Sequence, residues 1–239
     1  MEKLGSIEER NAAAAQILKI RSHERQRNPE HIDGWQRDLI EYFKYIGGLS
    51  SYLEYLGKLG NQMNVLDIGS GTNKGITELA RTRLGRNYNF IATNLSRVPG
   101  SIDDTKPVKI IHTSAEVLRG IEDKSINGII AIASIAYSEA PTLVASSFDR
   151  VLVPGGAIKA SFKRINREND FSIDFKYKDH YPFSSVFLEM GYDVSVDPRV
   201  DEAIMVAIKP GGPPAQSAED LLKIDTPFTD RMLYLGGYY

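Results

Sequence analysis

The run Val65-Leu-Asp-Ile-Gly-Ser-Gly-Thr-Asn-Lys-Gly75 constrains this chain more than any other part of it. A short apolar stretch ends in two glycines one residue apart, and apolar residues at helical spacing (Ile76, Leu79, Ala80, Leu84) follow at once. Strand, tight turn and helix start make the opening of a βα unit, and such a unit packs on a parallel sheet. Further strands are predicted over Phe90–Ala92, Val108–Ile111 and Ala157–Phe162, with helices over Gly75–Leu84, Pro141–Leu152 and Phe183–Met190. Ile126–Ala133 is almost continuously apolar, the pattern of a strand buried on both faces. Tyr192–Val196 and Ala203–Ile208 lie six residues apart, too close for a crossover helix, so these two are expected to be antiparallel. The expected fold class is α/β: a doubly wound, mostly parallel seven-stranded sheet whose last strand runs antiparallel.

Around that sheet we expect a helical cap over residues 1–60, a sheet domain over 61–210 and a tail over 211–239. In the cap, Ser6 and Glu9 have the spacing of a capping box, Asp33 is placed to start a second helix, and Leu49–Leu59 resumes helical spacing after Gly47-Gly48. Arg164–Pro182 is polar and dotted with aromatics, longer than ordinary connections, and reads as a loop able to close over a ligand. The tail after Pro210 reads as a linker plus a small apolar segment ending in Tyr238-Tyr239.

Composition narrows the function. Of 239 residues, 42% are hydrophobic and 25% charged, which excludes wholesale disorder. Twenty-nine basic against 31 acidic residues give a net charge of −2, so the chain as a whole has no electrostatic ground for tight nucleic-acid binding. The absence of cysteine excludes disulfides, thiolate metal sites and a thiol nucleophile. The longest apolar run, Gly128–Ala136, is far short of the ~20 residues of a membrane span, and acidic Met1–Arg10 is no secretory signal. A soluble, cytoplasmic protein with no membrane partner and no metal is the expectation.

The glycine turn then states what kind of ligand it suits. Glycines let the backbone approach a ligand closely, and the following helix start aims amide donors into the same crevice. A dinucleotide site has the pattern Gly-x-Gly-x-x-Gly; here Lys74 stands at the third glycine position and Gly75 comes one later. Asp67, two residues before Gly69, repels a pyrophosphate and attracts an ammonium group. The chemistry favours a zwitterionic or cationic ligand.

At these residues the sequence resembles the class I S-adenosylmethionine-dependent methyltransferases, Rossmann-like proteins whose first motif is acidic-x-Gly-x-Gly. The resemblance covers roughly Asn64–Pro210 in order. Phe90–Ser96 is similar to the family's second strand, Ile111–Glu116 to its adenine-side loop, Ile126–Ser134 to its fourth strand, Arg150–Gly156 to its Arg-Val-Leu-x-Pro-Gly-Gly turn and Glu202–Pro210 to its seventh strand. It implies S-adenosyl-L-methionine as cofactor, with Gly69, Ser70 and Gly71 approaching the methionine part and Asp67 holding its amino group. Asn94 takes the ribose position, Ser114 and Ala115 the adenine side, and Ala133 and Ser134 the methyl channel. Asn94 and Ser114 are neutral where the family usually has a carboxylate, and Lys74 is placed to pair with the cofactor's carboxylate.

No catalytic signature is evident. Tyr137 and His180 are candidates for acceptor contact and for a general base, each with an ordinary alternative in core packing or a solvated loop. Glu139, His112, the Arg21–Arg27 cluster and the aromatic series Trp35, Tyr42, Phe43 and Tyr45 read more simply as structural or solvated groups. Ser134-Ile-Ala-Tyr137 stands where nucleic-acid amino methyltransferases carry Asn-Pro-Pro-Tyr or Asp-Pro-Pro-Tyr. The expected reaction is methyl transfer to an oxygen or nitrogen of a small or medium-sized acceptor. A non-catalytic partner subunit with this fold and an RNA methyltransferase using Arg21–Arg27 are the alternatives, and the sequence leaves the oligomeric state open.

Overall fold

The structure is a computed structural model that describes residues 38–39, 42, 46–60, 63–95, 108–138, 140–163, 181–198, 202–213 and 216–223. The Ser6–Glu9 capping box, Arg21–Arg27, Asp33, Trp35, Phe43, Tyr45, Glu139, His180 and Tyr238-Tyr239 lie outside the described residues, as does nearly all of Arg164–Pro182.

Seven strands form one sheet: β1 (Asn64–Ile68), β2 (Asn89–Asn94), β3 (Val108–His112), β4 (Ile126–Ile132), β5 (Leu152–Lys163), β6 (Asp193–Pro198) and β7 (Glu202–Ile208). Their order is β3-β2-β1-β4-β5-β7-β6. β1 to β5 pair in parallel, and β7 runs antiparallel to both β5 and β6. The short β6–β7 connection dictates that reversal, as its length predicts. All seven residues of β4 are buried, because helices cover both faces of the sheet.

The helices among the described residues are α1 (Leu49–Gly57), α2 (Lys74–Arg81), α3 (Pro141–Val151), α4 (Tyr181–Glu189) and α5 (Ala218–Lys223). Two apolar layers result. One joins α3 and α4 to the sheet through Phe148, Phe162, Phe183 and Phe187. The other joins α1, α2 and α5 to the opposite face through Tyr52, Leu53, Leu56, Ile76, Leu79, Ile130 and Leu221. Leu39, Tyr42 and Ile46, helical residues before α1, are buried in this second layer.

Tyr52 explains how closely α1 sits. The β4–β5 register shifts between Ile126 and Gly128. The Tyr52 hydroxyl reaches in beside that irregularity, 2.9 Å from the Ile129 carbonyl and 2.7 Å from the Ala157 carbonyl, and donates its proton there. Burial pushes this phenol well above the ordinary tyrosine range, so it stays a donor. Gly128 makes room, since a Cβ there would fall 2.1 Å from Leu56 Cδ1.

Three of the differences from the sequence reading have a local reason. α2 ends at Arg81 rather than Leu84 because the Thr82 hydroxyl donates to the Leu79 carbonyl (2.7 Å) and accepts from Gly85 N–H (3.0 Å), turning the chain. β5 begins at Leu152, not Ala157, since Gly155 and Gly156 already exchange backbone bonds with Lys209. The linker expected after Pro210 contains α5, whose Ala218 and Leu221 are fully buried and whose first amide donates to Asp193 (2.7 Å).

Candidate functional site

The order of strands reverses between β1 and β4, since the chain leaves β1 towards β2 and leaves β4 towards β5. Connections diverge there, and the carboxyl edge of such a point is where ligands bind in open α/β sheets. β1 delivers the glycine turn to that edge. Gly69 (φ 66°), Gly71 (φ 62°) and Asn73 (φ 62°) are all left-handed, a conformation glycine adopts freely and asparagine tolerates. Gly69 faces a second demand: a Cβ on it would lie 2.7 Å from Ser134 Cβ at the end of β4. The two strand ends that flank the switch point therefore touch.

Asp67 lies in β1 behind the turn and is fully buried. It does not cap α2, whose N-cap residue is Asn73 with no side-chain cap bond. Instead its Oδ2 accepts a hydrogen bond from the hydroxyl of Tyr42, itself fully buried. The backbone amide of nearby Leu39 donates to Glu78 Oε2 of α2 at 2.9 Å. Two polar contacts thus hold the stretch before α1 against the turn and the helix that follows it.

Asn94, at the end of β2, spends its amide on the glycine turn. Its Oδ1 accepts from Gly71 N–H at 3.0 Å, while Nδ2 donates to the Gly71 carbonyl and to Asn73 Oδ1, both at 3.0 Å. Only an amide has the donor and the acceptor this reciprocal bond requires; a carboxylate has no donor. The neutral residue at this position therefore has a structural reason that the sequence did not disclose.

Ser114 follows β3, is buried, and its backbone carbonyl accepts from Leu118 N–H at 2.9 Å. Ala115 beside it is partly buried. Ala133 is left-handed (φ 45°), held by its N–H to the Ser161 carbonyl at 2.9 Å, and this kink turns the chain into Ser134. Asp67, Gly69, Ser70, Gly71, Asn94, Ser114, Ala133 and Ser134 all lie at or next to the carboxyl ends of β1 to β4. Tyr137 ends a short 3-10 turn beyond Ser134. Lys74 is directed elsewhere: it is exposed and pairs with Glu78 one turn on, at 3.9 Å. His112 is exposed at the end of edge strand β3.

Two participants escaped the sequence reading. Tyr42 read as core packing, and its bond to Asp67 spans 25 positions, a pairing no local pattern announces. Glu116 is the other. Its Oε1 accepts from the Ser138 hydroxyl at 2.6 Å, tying the segment after β4 to the loop after β3. A separate cavity of about 220 Å³, lined by Tyr55, Asp193 and Lys209, lies at the opposite edge of the sheet, where β5 begins. Among the described residues there is no group of His, Asp or Glu able to hold a metal, and no helix long and apolar enough to cross a membrane.

Comparison with known proteins agrees with this geometry. Residues 66–159 match the methyltransferase domain family. Among solved structures, phosphoethanolamine N-methyltransferase 2 of Haemonchus contortus with S-adenosyl-L-methionine superposes with a TM-score of 0.52 at 14% identity, over 68% of this chain and 53% of that one. This chain therefore spans about half the length of that enzyme. The 1,6-didemethyltoxoflavin-N1-methyltransferase of Burkholderia thailandensis, with bound 1,6-didemethyltoxoflavin and S-adenosylhomocysteine, gives 0.50 at 14% identity over 88% and 93%. The [4+2]-cyclase SpnF gives 0.53 at 14% over 68% and 81%. No curated relative matches the sequence. The match over residues 66–159 and these superpositions give the chain the fold of S-adenosylmethionine-dependent methyltransferases and its likeness to their domain family.

Proposed function

We propose that the chain transfers a methyl group from S-adenosylmethionine to an oxygen or nitrogen nucleophile of a small or medium-sized acceptor, in the cytoplasm. The observation that carries this reading is the set of residues gathered at the switch point. A buried carboxylate, Asp67, stands behind a turn whose backbone is bare at Gly69 and Gly71. Around it the buried hydroxyls of Ser70, Ser114 and Ser134 have no hydrogen-bond partner among the described residues. A buried polar group left without a partner costs about 1–3 kcal/mol, so three at one strand edge suit a polar ligand that bonds them. S-Adenosylmethionine fits that donor set: an ammonium for Asp67, and nucleoside and carboxylate groups for backbone amides and hydroxyls.

In this proposal Asp67 holds the amino group, and Gly69, Ser70 and Gly71 pass close to the methionine part. Asn94 shapes the ribose end by fixing the turn, Ser114 and Ala115 flank the base, and Ala133 and Ser134 line the path of the methyl. When bound, the cofactor supplies a methyl group on a good sulfonium leaving group. The protein's share of such a displacement is orientation, worth up to about 7–11 kcal/mol in favourable cases. Tyr137 and His180 remain the candidates for the acceptor side.

A second reading, a partner subunit that binds cofactor without turnover, draws on Asn94, whose amide is committed to the turn. Calorimetry with S-adenosylhomocysteine, paired with a methyl-transfer assay on candidate small amines and alcohols, separates the two. Micromolar binding with transfer is the expected result. Binding without transfer to any acceptor supports the partner subunit, and no binding at millimolar concentration contradicts both. An RNA acceptor would add a steep salt dependence, and the net charge of −2 speaks against it.

A further inference from the structure

We propose that Tyr42 is a positioning residue for the amino-acid end of the cofactor, acting through Asp67; the inference rests on the cofactor reading above. Tyr42 and Asp67 are each fully buried, and the phenol donates to Asp67 Oδ2. A hydrogen bond to a carboxylate is charge-assisted and stronger than a neutral one, so it fixes the rotation of the carboxyl group as well as its place. Asp67 is anchored from the main-chain side too, where Thr93 Oγ1 donates to its carbonyl at 3.0 Å. The Tyr42 end is not loose either. Its segment is held by the Leu39 amide to Glu78 Oε2 and continues through buried Ile46 into α1.

The consequence is a division of labour that spans the chain. The carboxylate that receives the cofactor's ammonium belongs to β1, but the direction in which it presents its oxygens is set from the stretch before α1, outside the residues 66–159 that match the methyltransferase domain. The same hydrogen bond offers the phenol its acceptor, which a buried tyrosine needs. The effect is specific to ligands that carry an α-amino group. A nucleoside thioether without the amino-acid end never meets Asp67.

Calorimetry on Tyr42→Phe tests this with two probes, S-adenosylhomocysteine and 5′-methylthioadenosine, which shares the nucleoside and sulfur but lacks the amino-acid end. Removing the phenol oxygen is expected to weaken S-adenosylhomocysteine about tenfold, the scale of one lost hydrogen bond, and to leave 5′-methylthioadenosine unchanged. The same substitution placed on Asp67→Asn is expected to add little further loss, since the charge whose direction it sets has gone. Equal weakening of both probes, unchanged or tighter binding of S-adenosylhomocysteine, full additivity with Asp67→Asn, or a variant that does not fold would each overturn the positioning role. A wild-type protein that binds neither probe defeats the cofactor reading itself, whereas wild-type binding with an indifferent variant defeats this inference alone.

Discussion

Gly128→Ala is expected to be the most destabilising single-methyl change in the sheet. The added Cβ would lie 2.1 Å from Leu56 Cδ1 and 2.8 Å from the Tyr52 hydroxyl. Either side chain taken alone could rotate away, but both are fully buried, and Tyr52 is pinned between the carbonyls of Ile129 and Ala157. Relief therefore requires α1 to lift from the sheet or the phenol to leave its acceptors. Overpacking a core costs about 1–3 kcal/mol, and stranding a buried donor adds about 1–3 more. A total near 3 kcal/mol lowers the melting temperature by roughly 6–12 °C at this chain length. Thermal or urea denaturation reads it directly, and an unchanged midpoint would mean that α1 does not sit against β4 as described.

Asp67→Asn carries the largest expected effect on binding. The amide keeps the size of the carboxylate and can still accept from Tyr42, so the fold should survive. What disappears is the negative charge that the proposed reading sets against the cofactor's ammonium, in a position with no solvent to replace it. Breaking a buried charge pair costs about 3–5 kcal/mol, which is at least a hundredfold in affinity. S-Adenosylhomocysteine titrated into the folded variant should therefore bind at least a hundred times more weakly than into the wild type. Retained affinity would show that the ammonium is held elsewhere.

The sheet is largely legible in the sequence, because its signals are local. Alternating short apolar runs and helical periods announce a parallel α/β sheet, and Ile126–Ile132 carries the all-apolar mark of a central strand. The brief β6–β7 connection announces the antiparallel end. The glycine turn was legible as well, since Gly69 and Gly71 sit where the chain needs a left-handed backbone. Illegible were pairings between distant positions. Tyr42 looked like one more apolar residue on a helix face because its partner is supplied by another element. Asn94 stands out in the sequence only as neutral where the resembled family usually has a carboxylate, yet the amide is what can both donate to and accept from Gly71. α5 was missed because its apolar residues are few and follow a stretch of glycine and proline, with the sheet edge supplying the rest of its packing.

The acceptor is the part that sequence pattern addresses least. In the proposed reaction, displacement at a sulfonium needs geometry more than a dedicated acid or base, so no fixed triad is required. Likeness at 14% identity extends to a [4+2]-cyclase as well as to N-methyltransferases, which is what a shared scaffold with separate chemistries looks like.

A crystal structure of the protein with S-adenosylhomocysteine tests the central claim most directly. The account predicts the ligand's amino group within hydrogen-bond distance of Asp67, its sulfur close to the backbone at Gly69 to Gly71, and its base beside Ser114. Density for the ligand at the opposite edge of the sheet, or a crevice that stays closed at saturating ligand with Asp67 out of its reach, would contradict it.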